Sequence, residues 1–175
     1  GCAVDELNLF EEMLPELSVK RVDGKYLLLG GKALSGEFEK AWKEIVAHIE
    51  RFLSADGYLI TTPMWNFSIP YKLKHYIDII IQPKYLFRYT PTGVEGLAKN
   101  KKMAVITSRG GDYSKGTPTQ NYDLQEPYIR AIFGLVGITN IAFVNAQPMD
   151  ALGPDVQQDK IKSAQAEAMK TAQNF

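Results

Sequence analysis

Cysteine is nearly absent from this chain. Cys2 is the only one, so no internal disulfide can form and no zinc site can be built from several thiolates. Histidine is almost as scarce: His48 and His75 have no His, Cys or paired carboxylate beside them at metal-ligand spacing, and each reads as structural or surface. Asp78 reads the same way, as a helix-surface carboxylate. Excess charge is missing too, because 20 Lys and Arg balance 20 Asp and Glu. No long-range positive field therefore collects nucleic acid or anionic lipid. No apolar run approaches the roughly 20 residues that span a bilayer, and nothing resembles a signal peptide. The patterns GxSxG, HExxH, GxGxxG and the phosphate-loop GxxxxGK are all lacking, so no nucleophile, zinc or nucleoside-triphosphate signature is available. A soluble cytoplasmic protein is expected.

What is present is ordinary globular material: 175 residues, 45% apolar and 23% charged, enough for one domain with a substantial core. Val4–Phe10 partly alternates and reads as a short strand; Tyr26–Leu29 reads as a second candidate, closed by Gly30-Gly31. Gly24 reads as a turn. From Ser35, Phe38, Trp42, Ile45, Ile49 and Phe52 recur at three- and four-residue spacing and predict a helix with one buried stripe. Tyr58–Thr62 is a β-prone run that Pro63 stops. Ser68-Ile69-Pro70 reads as a helix start, with Ile69, Leu73, Ile77 and Ile80 inward and Pro83 at the end. Met103–Ser108 and Ile141–Val144 predict strands. Gln125–Val136 predicts a helix, with Gly137 placed for a left-handed C-cap, and Asp155–Ala172 a covering helix with a thin apolar stripe. Strands alternating with helical crossovers predict an open, doubly wound α/β parallel sheet.

Ligands of such a sheet sit beyond the carboxyl ends of its strands. Three strands here run out into unusual loops. Pro63-Met64-Trp65-Asn66-Phe67 sets large apolar groups around an amide, which suits a flat heteroaromatic ring or, alternatively, merely plugs the sheet end. Ser108-Arg109-Gly110-Gly111 offers a hydroxyl, a cation and two amides without a Cβ in the way; the alternative is a tight turn. Asn145–Met149 is the third. Asp112–Leu124 is polar and long for a connection, which marks it as functional. Tyr85–Tyr89 reads as core, substrate wall or partner interface.

Pro63–Phe67 followed by Ser68-Ile69-Pro70, Leu73-Lys74 and Tyr76-Ile77-Asp78 resembles the flavin-binding segment of the FMN-dependent NADH-azoreductase and NAD(P)H:quinone oxidoreductase family. Phe87–Thr90, Gly93–Leu97, Val105–Gly111 and Gly134–Ile138 continue the resemblance in order. It implies a flavodoxin-like fold, a homodimer, bound FMN, and hydride transfer from NADH or NADPH to quinone or azo acceptors in a ping-pong scheme. It further implies that Met64, Trp65, Asn66 and Phe67 line the isoalloxazine, with Trp65 where the family often has tyrosine. Ser108, Arg109, Gly110 and Gly111 would meet its pyrimidine end through backbone and side-chain donors. Phe87 and Tyr89 would be acceptor-site or interface aromatics. The family pattern also begins with a central strand, a serine-rich phosphate loop and a first helix, which this sequence does not show; an N-terminally incomplete flavodoxin-like domain is the expectation. Two rival readings are a flavodoxin-like interaction module with weakened flavin binding and an NADPH-dependent FMN reductase.

Overall fold

The computed structural model describes residues 2–175. In order they form α1 (Val19–Leu29), α2 (Glu37–Ser54), β1 (Gly57–Pro63), α3 (Tyr71–Ile80), β2 (Phe87–Thr90), β3 (Gly93–Gly96), β4 (Lys102–Ser108), a 3-10 turn (Gln120–Tyr122), α4 (Gln125–Leu135), β5 (Asn140–Ala146) and α5 (Pro154–Gln173). β1, β4 and β5 make a parallel sheet in the order β1-β4-β5. Their register places Pro63 beside Ser108 and Ser108 beside Ala146, so the three strands end in line and their loops share one edge of the sheet.

β4 is central, and its Met103, Ala104, Val105 and Thr107 are buried, as a strand covered on both faces requires. The stripe of α2 (Trp42, Ile45, Ile49, Phe52) and that of α3 (Leu73, Ile77, Ile80) are buried as their spacing predicts. Ile129 and Phe133 of α4 are buried as well, Phe133 stacking on Phe52 of α2 with centroids 6.2 Å apart, while no residue of α5 is fully buried. Gly137, at φ 101°, takes the left-handed position just past α4. β2 and β3 form a separate antiparallel hairpin. A Cβ on Gly96 would fall on the backbone of Val136 and Gly137, and the Ala98 N–H donates to Val136 O at 2.8 Å, so the hairpin is fastened to the end of α4. Among the described residues no helix is long and apolar enough to cross a membrane.

Several expectations are corrected. Val4–Phe10 is not a strand; it pairs with no strand among the described residues and is tied down instead by Asp5, whose carboxylate accepts from Arg51 at 2.6 and 2.8 Å. Tyr26–Leu29 is the last turn of α1, its Leu28 turned into the core. Gly24 is no turn: it lies within α1, where a Cβ would overlap the indole nitrogen of Trp42. Helix α2 starts after Gly36 rather than at Ser35, and α3 after Pro70, because Ser68 is held in a turn by Trp65. The outer edge of β1 carries no partner strand among the described residues, and Leu59 on it is 64% exposed.

Candidate active site

The loop after β1 is joined directly to the loop after β4: the Met64 N–H donates to Ser108 O at 2.9 Å. Trp65 and Ser68 exchange backbone hydrogen bonds of 2.9 and 3.0 Å, closing a two-residue turn. Its central residues, Asn66 and Phe67, sit at φ 48° and 67°. Both being left-handed is the geometry that Asn-Gly usually fills. A phenylalanine there costs on the order of 1–2 kcal/mol and persists only when its surroundings over-determine it. They do. Phe67 O accepts the Leu124 N–H at 2.9 Å, and its ring stacks on Tyr122 (centroids 5.1 Å apart) and meets Tyr113 edge-on (6.2 Å). Trp65 packs against Phe10 and Tyr71 and remains 44% exposed.

In the second loop the Arg109 N–H donates to Ala146 O at 3.0 Å, and Gly110 O accepts from Met149 and Asp150, so the loops after β4 and β5 are stitched together. A side chain at either glycine would push on a neighbouring one. A Cβ on Gly110 would lie 2.7 Å from Asp150 Oδ2, and one on Gly111 would lie 3.1 Å from the Tyr113 hydroxyl. Gln147 completes the edge: its Oε1 accepts the Tyr113 N–H (3.3 Å) and its Nε2 donates to Ser114 Oγ (3.0 Å). Asp112, bonded by Ser114, is held below the ordinary carboxylate value. Among the described residues the amides of Asn66, Phe67, Gly110 and Gly111 donate to nothing in the chain, which leaves four N–H groups uncommitted on the two joined loops.

Two expected site residues are placed differently. The Arg109 guanidinium is no donor on the open face of its loop. It is 1% exposed and turned inward, where Nε donates to Thr107 Oγ1 (3.0 Å) and Gln125 Oε1 (3.1 Å) and Nη1 pairs with Asp123 Oδ2 (2.9 Å). A guanidinium off a β-strand end that is surrounded by such acceptors goes inside, because the paired buried charge is tolerated while an unpaired one is not. Its Nη2 is buried without a partner in the chain. Phe87 is core, 7% exposed, so of the aromatic pair only Tyr89, at 66%, presents a surface; neither stacks on a ring of the two loops. Pro63, Met64, Trp65, Asn66, Phe67, Ser108, Gly110 and Gly111 do come together. The sequence marked the segments that hold Tyr113, Tyr122, Asp123 and Gln147 without singling out those residues, and it missed Gln125. Asp123 and Glu126 at three-residue spacing were a legible helix-start signal; Gln125 carried none.

Residues 1–172 match the family model described as a flavodoxin-like fold. The chain belongs to that flavodoxin-like family. A relative from Nitratidesulfovibrio vulgaris, an FMN-dependent NADH:quinone oxidoreductase, is 41% identical over 175 residues, covering 100% of this chain and 84% of its own length. The crystal structure of an azoreductase from Bacillus anthracis str. Sterne superposes with a TM-score of 0.86 at 33% identity, covering 98% of this chain and 81% of that one. An FMN-dependent NADH-azoreductase from Bacillus anthracis str. Ames Ancestor, solved in complex with FMN, matches with a TM-score of 0.79 at 31% identity over 95% of this chain and 79% of that one. The expected fold and family are thus those found.

Proposed function

We propose that this flavodoxin-like protein is an FMN-dependent oxidoreductase that takes a hydride from NADH or NADPH and delivers it to a quinone or azo acceptor, in two successive half-reactions at one site. The observation that carries this reading is the pair of loops joined by the Met64–Ser108 bond, with free amides at Asn66, Phe67, Gly110 and Gly111. FMN fits that donor set. The pyrimidine edge of its ring carries carbonyl oxygens and acceptor nitrogens that the four free amides could serve, and its face is flat and apolar, as the aromatics of the first loop require. Pro63, Met64, Trp65, Asn66 and Phe67 would border the ring on one side; Ser108, the Arg109 backbone, Gly110 and Gly111 would meet its pyrimidine end.

When bound, FMN supplies the hydride-accepting and hydride-donating chemistry that no side chain at this edge could. The chain's own residues position and insulate. Amides fixed just past the ends of two strands cost no reorganisation when negative charge develops beside them, so they favour the reduced cofactor. Trp65, Phe67 and Tyr122 present apolar surface beside these amides, which would shield a bound ring from water. No side-chain acid or base is assigned a proton.

The test is an anaerobic titration. The protein should retain FMN in preference to FAD, NADH should bleach its visible absorbance, and a quinone should restore it. Failure to hold FMN in equilibrium dialysis, or absorbance that NAD(P)H leaves unchanged, would overturn the assignment. Two exposed aromatics, Trp65 beside the loops and Tyr89 on the β2-β3 hairpin, support a homodimer with two equivalent sites; sedimentation equilibrium showing a monomer with full FMN occupancy would exclude it.

A further inference from the structure

Three consecutive residues at the start of α4 reach both loops at once. The Asp123 carboxylate has two jobs: Oδ1 accepts the Gln125 and Glu126 amides at 3.0 Å each, fixing the first turn of α4, and Oδ2 pairs with Arg109 Nη1. The Leu124 N–H is shared between Phe67 O (2.9 Å) and Tyr122 O (3.0 Å). Gln125, fully buried, spans the gap with its side chain: Nε2 donates to Pro63 O at 2.8 Å, and Oε1 accepts from Arg109 Nε at 3.1 Å. The first and last residues of the Pro63–Phe67 loop and the side chain rooted in the Ser108–Gly111 loop are therefore held by one short, rigid stretch.

We infer that Asp123-Leu124-Gln125 is a positioning clamp, with Gln125 its central residue, that sets the spacing of the two loops and thereby the affinity for the flavin ring. This rests on the oxidoreductase reading above for the identity of the ligand, though not for the clamp itself. A primary amide is the side chain the place demands. It must donate to a carbonyl and accept from a guanidinium at opposite ends of one planar group, which neither a carboxylate nor a hydrocarbon can do. The two bonds carry weight because, without Gln125, Arg109 Nε keeps only Thr107 Oγ1 (3.0 Å) and Pro63 O keeps only the longer bond from Thr62 Oγ1 (3.2 Å). Arg109 already carries one buried nitrogen without a partner, so its remaining bonds alone fix where it points. None of the three residues needs to touch the ligand, and the clamp acts through the loops.

The experiment compares the unmodified protein with Gln125→Met, which keeps the volume and loses both bonds, and with Gln125→Glu, which keeps the Arg109 contact and loses the donor to Pro63 O. Amide hydrogen exchange without FMN is read first. Exchange at Met64 and Leu124 should quicken by about tenfold in both variants while that of Val105 in β4 stays unchanged. FMN titration by flavin fluorescence follows, and the dissociation constant should rise about ten- to a hundredfold. Should Gln125→Met fail to fold by circular dichroism, Gln125→Glu carries both measurements. Exchange in the two loops within twofold of the unmodified protein would overturn the clamp, as would a uniform rise that includes Val105, which marks general destabilisation. Quickened exchange with unchanged FMN affinity would also overturn it. If the unmodified protein holds no FMN, the oxidoreductase reading falls, and the exchange data still decide whether the clamp sets the loop spacing.

Discussion

Valine at position 111 probes the second loop where the structure leaves least room. A Cβ there would stand 3.1 Å from the Tyr113 hydroxyl and 3.2 Å from the adjoining ring carbon, closer than ordinary contact, so the ring has to move. Moving it forfeits the edge-on contact with Phe67, worth about 0.5–1.5 kcal/mol. The branched methyls also stand in the path by which the Gly111 amide would be approached. Losing one hydrogen bond to a charged group costs roughly 1.5–3 kcal/mol, about one to two decades in FMN affinity. Stability should change little, because Gly111 is half-buried and its backbone is not left-handed. A loss near 1 kcal/mol would lower Tm by about 2–4 °C. The comparison is Gly134→Ala in α4, whose Cβ would meet nothing within 4 Å and which should raise stability by up to about 1 kcal/mol without altering affinity. Flavin fluorescence titration and thermal melts on both variants are the assays. Equal FMN dissociation constants for Gly111→Val and the unmodified protein would reduce Ser108–Gly111 to a turn.

Gly24→Ala should destabilise despite improving helix propensity, since crowding the buried Trp42 indole, whose Nε1 donates to Arg21 O at 2.9 Å, costs about 1–3 kcal/mol against a gain of about 1; a melt showing stabilisation would refute that packing. The Glu95 carboxyl, bonded by Lys99 and Arg88, is pulled from 4.5 down to about 2. A depressed carboxylate contributes above its ordinary value and loses that contribution as pH falls through about 2, so an NMR titration of Glu95 should show a midpoint near 2 at low salt that climbs as salt screens the exposed pairs; an ordinary midpoint at low salt would break the hairpin's ion network.

The strands β1, β4 and β5 were legible because β-branched and apolar residues run together and stop at turn residues, and α2 because its stripe repeats for four turns. Val19–Leu29 was not. Gly24 interrupts its pattern, and Tyr26-Leu27-Leu28-Leu29 reads equally well as a strand until Trp42 is seen to lie against that glycine. Val4–Phe10 has a strand's alternation, but alternation makes a strand only beside another strand. The loops announced themselves by composition: large apolar groups and paired glycines are expensive where they are not used. What the loops need from elsewhere was invisible. Nothing local says that Arg109 turns inward, because Thr107, Asp123 and Gln125 surround it only after β4 and α4 have packed.

The left-handed pair Asn66-Phe67 has a bearing on how this protein would respond to selection. Glycine at position 67 would relieve the backbone strain, since Asn-Gly suits that turn. The same change would strip the aromatic ring from the loop and release its hold on Tyr113 and Tyr122. Relief of the backbone and retention of the aromatic contacts thus pull on one codon in opposite directions.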